Sequence, residues 1–184
     1  MSKLNSENKM KTIAEQLSTY KSVHLNKNNV KTHFVGVPLI IWSVALLLTS
    51  FSFEISFNSQ SYHFTLTAVL AAVILMYYLM LSLPLALVAL PLIGGLVYSA
   101  IILMDVEYKV WIAIGVFVIG WGIQFIGHAY EKAKPAFLDD LNQLAIGPLF
   151  LIAEVYFYFG FDQTLNDEVT KKAIAKRKAF NKLT

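Results

Sequence analysis

Gln124, His128 and Glu131 follow one another at spacings of four and three. In a helix those spacings stack an amide, an imidazole and a carboxylate on one face. They stand at the end of a long apolar run. The other histidines are His24, His33 and His63. Imidazoles with a carboxylate are the ligand types of Fe(II), Mn(II) or Zn(II). The competing reading is that a histidine beside a membrane hydrogen-bonds headgroups or water. Which reading holds depends on the elements that position these side chains.

Those elements are apolar. Of 184 residues, 57% are hydrophobic and 15% charged, against about 45–50% and 25% in soluble domains. This composition describes a membrane protein. Cysteine is absent, which excludes disulfides, thiolate metal sites and cysteine nucleophiles. No secretory leader is expected, because more than thirty polar residues precede the first apolar run.

The expected fold is an all-α, polytopic membrane bundle with four full spans. One domain, 1–184, divides into a polar segment (1–33), a membrane bundle (34–161) and a basic tail (162–184). A short helix is expected near Ile13 to Tyr20, and the Asn-rich stretch 24–33 reads as a turn. The first span runs from about Phe34 to Phe53, followed by a polar loop over 54–63. Phe64 to Met104 is 41 residues without a charge. One crossing takes about 20 residues, so this is two spans, divided near 81–84, where Pro84 suits the first turn of a helix. The fourth span covers Val110 to His128, and its helix should end near Lys134, before Pro135. A fifth apolar segment, 143–161, contains Gly147-Pro148 and Glu154 and is expected to be re-entrant or interfacial. The tail reads as an amphipathic surface helix.

Basic residues orient this bundle. With the N-terminus inside and four spans, segments 1–33, 129–142 and 162–184 are cytoplasmic and hold 14 of the 15 Lys and Arg. His24, His33 and His128 then share the cytoplasmic face with Glu131, and His63 lies alone on the other. His24 and His33 are nine residues apart, half a turn out of phase in one helix. The Asn-rich turn must therefore fold His24 back. Asn29 and Gln124, each four before a histidine, are candidates to orient their rings. Glu131 is either part of the site or a solvated charge beside Lys132 and Lys134. Glu154 is expected to support the site. Asp139 and Asp140 read as charges at the start of the fifth segment, or as contacts to the metal shell. The Gly94-Gly95 pair is expected to permit close helix packing. Phosphate loops and nucleophile elbows are absent, and the basic tail suits anionic lipid better than nucleic acid. A non-enzymatic lipid-binding or assembly protein, or a haem carrier with two histidine ligands, would also use such a cluster.

Two stretches, "YKSVHLNKNNVKTHFVGVPL" (20–39) and "IGWGIQFIGHAYEKAKPAFLDDLNQLAIGPLFLIAEV" (119–155), resemble the 2-hydroxy fatty acid dioxygenase family. The family includes fungal endoplasmic-reticulum enzymes of sphingolipid breakdown and bacterial relatives. The resemblance covers nearly the whole chain. It implies an Fe(II)-dependent membrane dioxygenase that uses O2 to shorten a 2-hydroxy fatty acid by one carbon, in α-oxidation. The family's histidines fall on His24, His33 and His128, and its acidic position on Glu131. The acyl tail would lie between the spans. Lys31, Lys132 and Lys134 would attract the substrate carboxylate. A bacterial inner membrane is the expected location, with no nucleic-acid partner.

Overall fold

The computed structural model describes residues 11–132 and 140–181. Seven helices and one hairpin follow in the order α1 (Ile13–Lys21), α2 (Lys27–Leu48), β1 (Ser52–Phe57), β2 (Gln60–Thr65), α3 (Leu66–Leu81), α4 (Leu83–Ile102), α5 (Lys109–Glu131), α6 (Gln143–Tyr158) and α7 (Gln163–Asn181). The molecule is mainly helical, with one correction to the all-α expectation.

That correction is the segment expected as a polar loop. β1 and β2 pair antiparallel across the two-residue turn Asn58-Ser59, both at positive φ, the geometry of a tight hairpin whose twist matches its strands. Phe53, Ile55, Phe57, Tyr62 and Phe64 alternate with polar residues, so the pleat gathers them on one face. Glu54 and His63 face each other on the polar side. The alternation was visible in the sequence, but the polar positions dominated its reading.

The 24–33 turn is also corrected. Asn26 caps α2 by accepting from the Asn28 amide at 2.9 Å, so the stretch is helical from Lys27 onward and only residues 22–26 turn. α2 therefore begins seven residues before the expected span and ends at Leu48.

Three helices, α2, α4 and α5, are long and apolar enough to cross a membrane, where four were expected. α3 has 16 residues, a reach of about 24 Å against a hydrocarbon core of about 30 Å. Its contacts still run from one end of the bundle to the other. Thr67 donates to the Ala45 carbonyl at 2.6 Å, and Tyr78 donates to the Ala145 carbonyl at 2.6 Å. The chain reverses at Ser82, and α4 starts with Pro84 in its first turn. α4 and α5 meet α2 at the far end, around Ala100, Ala113 and Leu46. Large apolar side chains such as Met76, Leu87, Trp111 and Val118 remain exposed, as a lipid-facing surface requires.

α2 and α5 make the close crossing. A Cβ on Gly36 would stand 2.9 Å from the Gly120 carbonyl oxygen, and one on Gly120 would stand 2.8 Å from Ile40. Gly94 and Gly95 meet nothing within 4 Å, so the packing role expected of that pair belongs to these other glycines. α5 ends at Glu131 with Lys132 left-handed, three residues before the expected stop.

α1, α6 and α7 form a cap over the other end. Gln16 meets Gln143, Tyr20 packs on Gly147, and Lys21 pairs with Glu154 at 2.8 Å. α6 thus runs alongside α1, and its Ile146, Leu149 and Phe150 share one core with Leu85 and Ala89 of α4. α7 covers α1, with Lys176 bonded to Glu15 and Thr19.

Candidate metal centre

Three elements deliver one histidine each. His24 stands in the turn after α1, where its Nδ1 donates to the Tyr20 carbonyl at 2.7 Å. That carbonyl belongs to the last turn of α1, where it also accepts from the Val23 amide at 3.3 Å, so the imidazole adds to the cap of the helix. The Tyr20 ring stacks on it, centroids 4.0 Å apart. His33, one and a half turns into α2, donates from Nδ1 to the Asn29 carbonyl at 2.8 Å. His128 lies near the end of α5, its ring centroid 5.2 Å from His24 and 5.1 Å from His33. The 22–26 turn performs the fold-back that the nine-residue spacing demanded. All three residues are buried, and one ligand nitrogen from each lies within 4.8 Å of the others.

The tautomers follow from the partners. A carbonyl only accepts, so both Nδ1 atoms carry protons and both Nε2 atoms present lone pairs. Those Nε2 atoms are 3.0 Å apart. Burial first, and the His33 imidazole second, hold the His24 pKa well below the ordinary imidazole range. The ring is therefore neutral, the form that binds metal. Two lone pairs at this distance repel unless a cation lies between them. Ligand nitrogens about 2.1 Å from one ion, at about 90° to each other, stand about 3.0 Å apart. The residues present fit a divalent transition metal held on three imidazoles.

The cavity beside the rings is about 90 Å³ and is lined by Tyr20, Trp121, Gln124 and the histidines. It is too small for a porphyrin, which removes the haem reading. It shares Ile40, Ile41, Trp121, Leu144 and Pro148 with an apolar cavity of about 440 Å³. The second cavity reaches Leu48 and Thr67 at the far end of the bundle, with exposed Val44 and Leu70 on its rim.

The other candidates take separate places. Glu131 stands outside the histidine group. Its Oε2 accepts from the Asn26 amide at 2.8 Å and from Asn29 Nδ2 at 3.3 Å, and its Oε1 lies 3.6 Å from Arg177. Arg177 also donates to the Glu131 and Ser22 carbonyls. The carboxylate thus ties the α1–α2 turn to the end of α5 and to α7. Asn29 holds His33 through its backbone carbonyl and Glu131 through its side chain. Gln124 lies in the cavity wall and is bonded to neither ring. Glu154 pairs with Lys21, away from the histidines. Asp140 accepts from the Asn142 amide at the start of α6 and pairs with Lys11. Lys31 and Lys132 are exposed and line neither cavity. Asp139 and Lys134 lie outside the described residues. Sequence reasoning missed Tyr20, Asn26 and Arg177. Of these only Asn26, an asparagine just before a helix, carried a local signal.

Glu131→Gln keeps an acceptor for Asn26 but removes the charge facing Arg177. Its expected cost is about 1–3 kcal/mol, read as a lower thermal midpoint with unchanged metal per folded chain. Metal loss from a well-folded variant would instead make Glu131 a ligand.

A family model described as 2-hydroxy-palmitic acid dioxygenase Mpo1-like matches residues 10–159, a range holding all three histidines. The chain is 36% identical over 155 residues to the 2-hydroxy-palmitic acid dioxygenase MPO1 of Saccharomyces cerevisiae, covering 81% of this chain and 82% of that protein. No solved structure matches. With both matches running through the histidine elements, the chain belongs to the Mpo1-like family.

Proposed function

We propose that this protein is an Fe(II)-dependent membrane dioxygenase that shortens 2-hydroxy fatty acids by one carbon with O2. The observation that carries the reading is the convergence of three imidazoles beside an apolar cavity, in a family whose yeast member is named a 2-hydroxy-palmitic acid dioxygenase.

His24, His33 and His128 would hold the iron beside the cavity that they line. Bound there, the iron supplies the redox chemistry through which O2 breaks the C1–C2 bond. One O2 suffices, because 2-hydroxy acid plus O2 balances as the shorter acid, carbon dioxide and water. Tyr20 and the Asn29 carbonyl fix the imidazole orientations, so the ligand nitrogens need no rearrangement. Ile40, Ile41, Leu144 and Pro148 pass the acyl chain into the larger cavity and keep water from the reacting carbons. Lys31 and Lys132 attract the carboxylate from the surface without touching it. The charge bias supports a site and described ends at the cytoplasmic face of a bacterial inner membrane.

The test is anaerobic reconstitution with Fe(II) in mild detergent, then O2 uptake with 2-hydroxypalmitate. One iron per chain, substrate-dependent uptake and an acid one carbon shorter are expected. A folded, iron-loaded protein without uptake would leave a lipid-binding protein as the reading.

A further inference from the structure

Gln124 presents a buried amide with nothing to bind. It is 4% exposed, and neither its Oε1 nor its Nε2 has a hydrogen-bond partner among the described residues. Buried amides are nearly always satisfied, and leaving one unmet costs stability. It lines the cavity of the three histidines, one turn before His128. It cannot swing toward α2, because a Cβ on Gly36 would already stand 3.0 Å from its Nε2. The amide is thus fixed in the wall between the imidazoles and the apolar cavity that Trp121, Ile40 and Ile41 lead into.

We propose that Gln124 recognises the head of a 2-hydroxy carboxylic acid. Its Nε2–H donates to the carboxylate, and its Oε1 accepts from the 2-hydroxyl. A primary amide offers one donor and one acceptor side by side, and a 2-hydroxy acid offers their complements on adjacent carbons. Palmitate and a 2-oxo acid both lack the hydroxyl donor and leave Oε1 unmet. A site that hydrogen-bonds a hydroxyl rejects analogues without it far more strongly than an apolar pocket does. Gln124 is then the residue that selects the 2-hydroxy acid among the fatty acids of a membrane. This inference rests on the dioxygenase reading and adds to it a residue that sets specificity.

The experiment compares wild type with Gln124→Leu and with Gln124→Met, whose unbranched side chain fills the same space. Affinities of 2-hydroxypalmitate and palmitate are measured on metal-free protein by displacement of a fluorescent fatty acid. Wild type should prefer the hydroxy acid. Both variants should lose about 10–100-fold of that preference, through weaker binding of the hydroxy acid alone. Metal per chain should not change, and the thermal midpoint should not fall, because an unmet amide has been removed. In turnover, KM should rise more than kcat falls. If the variants keep the preference, Gln124 is merely hydrated and the inference fails, while the dioxygenase reading stands on wild-type uptake. If wild type itself has no preference and no uptake, both fail together.

Discussion

Replacing His33 with alanine is expected to abolish tight iron binding and to lower turnover by about 10³-fold or more. A catalytic metal ion of this kind contributes several kcal/mol, and each 1.36 kcal/mol is about tenfold in rate. Two imidazoles on separate elements would remain, neither of which completes a site alone. The fold should persist. The His33 Nδ1 donates to a carbonyl of its own helix and its Nε2 faces the His24 Nε2, so its removal relieves two facing lone pairs. The metal-free variant should therefore melt no lower than metal-free wild type, while wild type alone gains stability on adding Fe(II). Metal analysis and calorimetry on the same preparations check both statements. His63→Ala, on the polar face of the hairpin, is the matched control and should change neither. One metal per chain and full turnover in His33→Ala would remove the histidine centre from the mechanism.

The second large effect is expected at the crossing of α2 and α5. In Gly36→Ala the new methyl group would lie 2.9 Å from the Gly120 carbonyl oxygen. Backbone cannot step aside as a side chain can, so the helices must separate. Overpacking of this kind costs about 3 kcal/mol, a fall of about 6–12 °C in thermal midpoint. Gly127→Ala meets Thr32 Oγ1 and would stand 2.6 Å from Asn29 Oδ1, both of them side-chain atoms. Trimming Thr32 to alanine should partly restore Gly127→Ala, whereas no side-chain trimming should restore Gly36→Ala. Gly94→Ala and Gly95→Ala should be silent. Equal damage at all four glycines would mean that backbone flexibility, not the crossing, is what they provide.

How far the sequence reached depended on the range of the interaction. Hydropathy and the placement of lysines gathered His24, His33 and His128 at one end, because topology alone decides which end of a helix faces which. The Pro84 break was legible for a similar reason, since proline constrains its own turn. The start of α2 was not, because asparagines suit turns and caps alike, and only tertiary contact showed that Asn26 was a cap. Glu131 looked like a ligand from its spacing to His128. Its partners are an amide 105 residues earlier and a guanidinium 46 residues later, which no local pattern reports. Gln124 showed the reverse error. Spacing paired it with His128, and among the described residues its amide has no hydrogen-bond partner.

The apolar cavity has Val44 and Leu70 on its rim, both exposed on the apolar helices. A ligand that enters there arrives from the bilayer, and its effective concentration is a mole fraction in a two-dimensional phase. Each methylene favours that phase over water by about 0.8 kcal/mol, so a long acid is almost wholly dissolved in membrane before it reaches the protein. Half-saturation expressed per litre of buffer would then rise in proportion to the lipid or detergent added, with the enzyme itself unchanged. Expressed per mole of amphiphile it would stay constant, and chain-length preferences measured in solution would report partitioning as much as recognition.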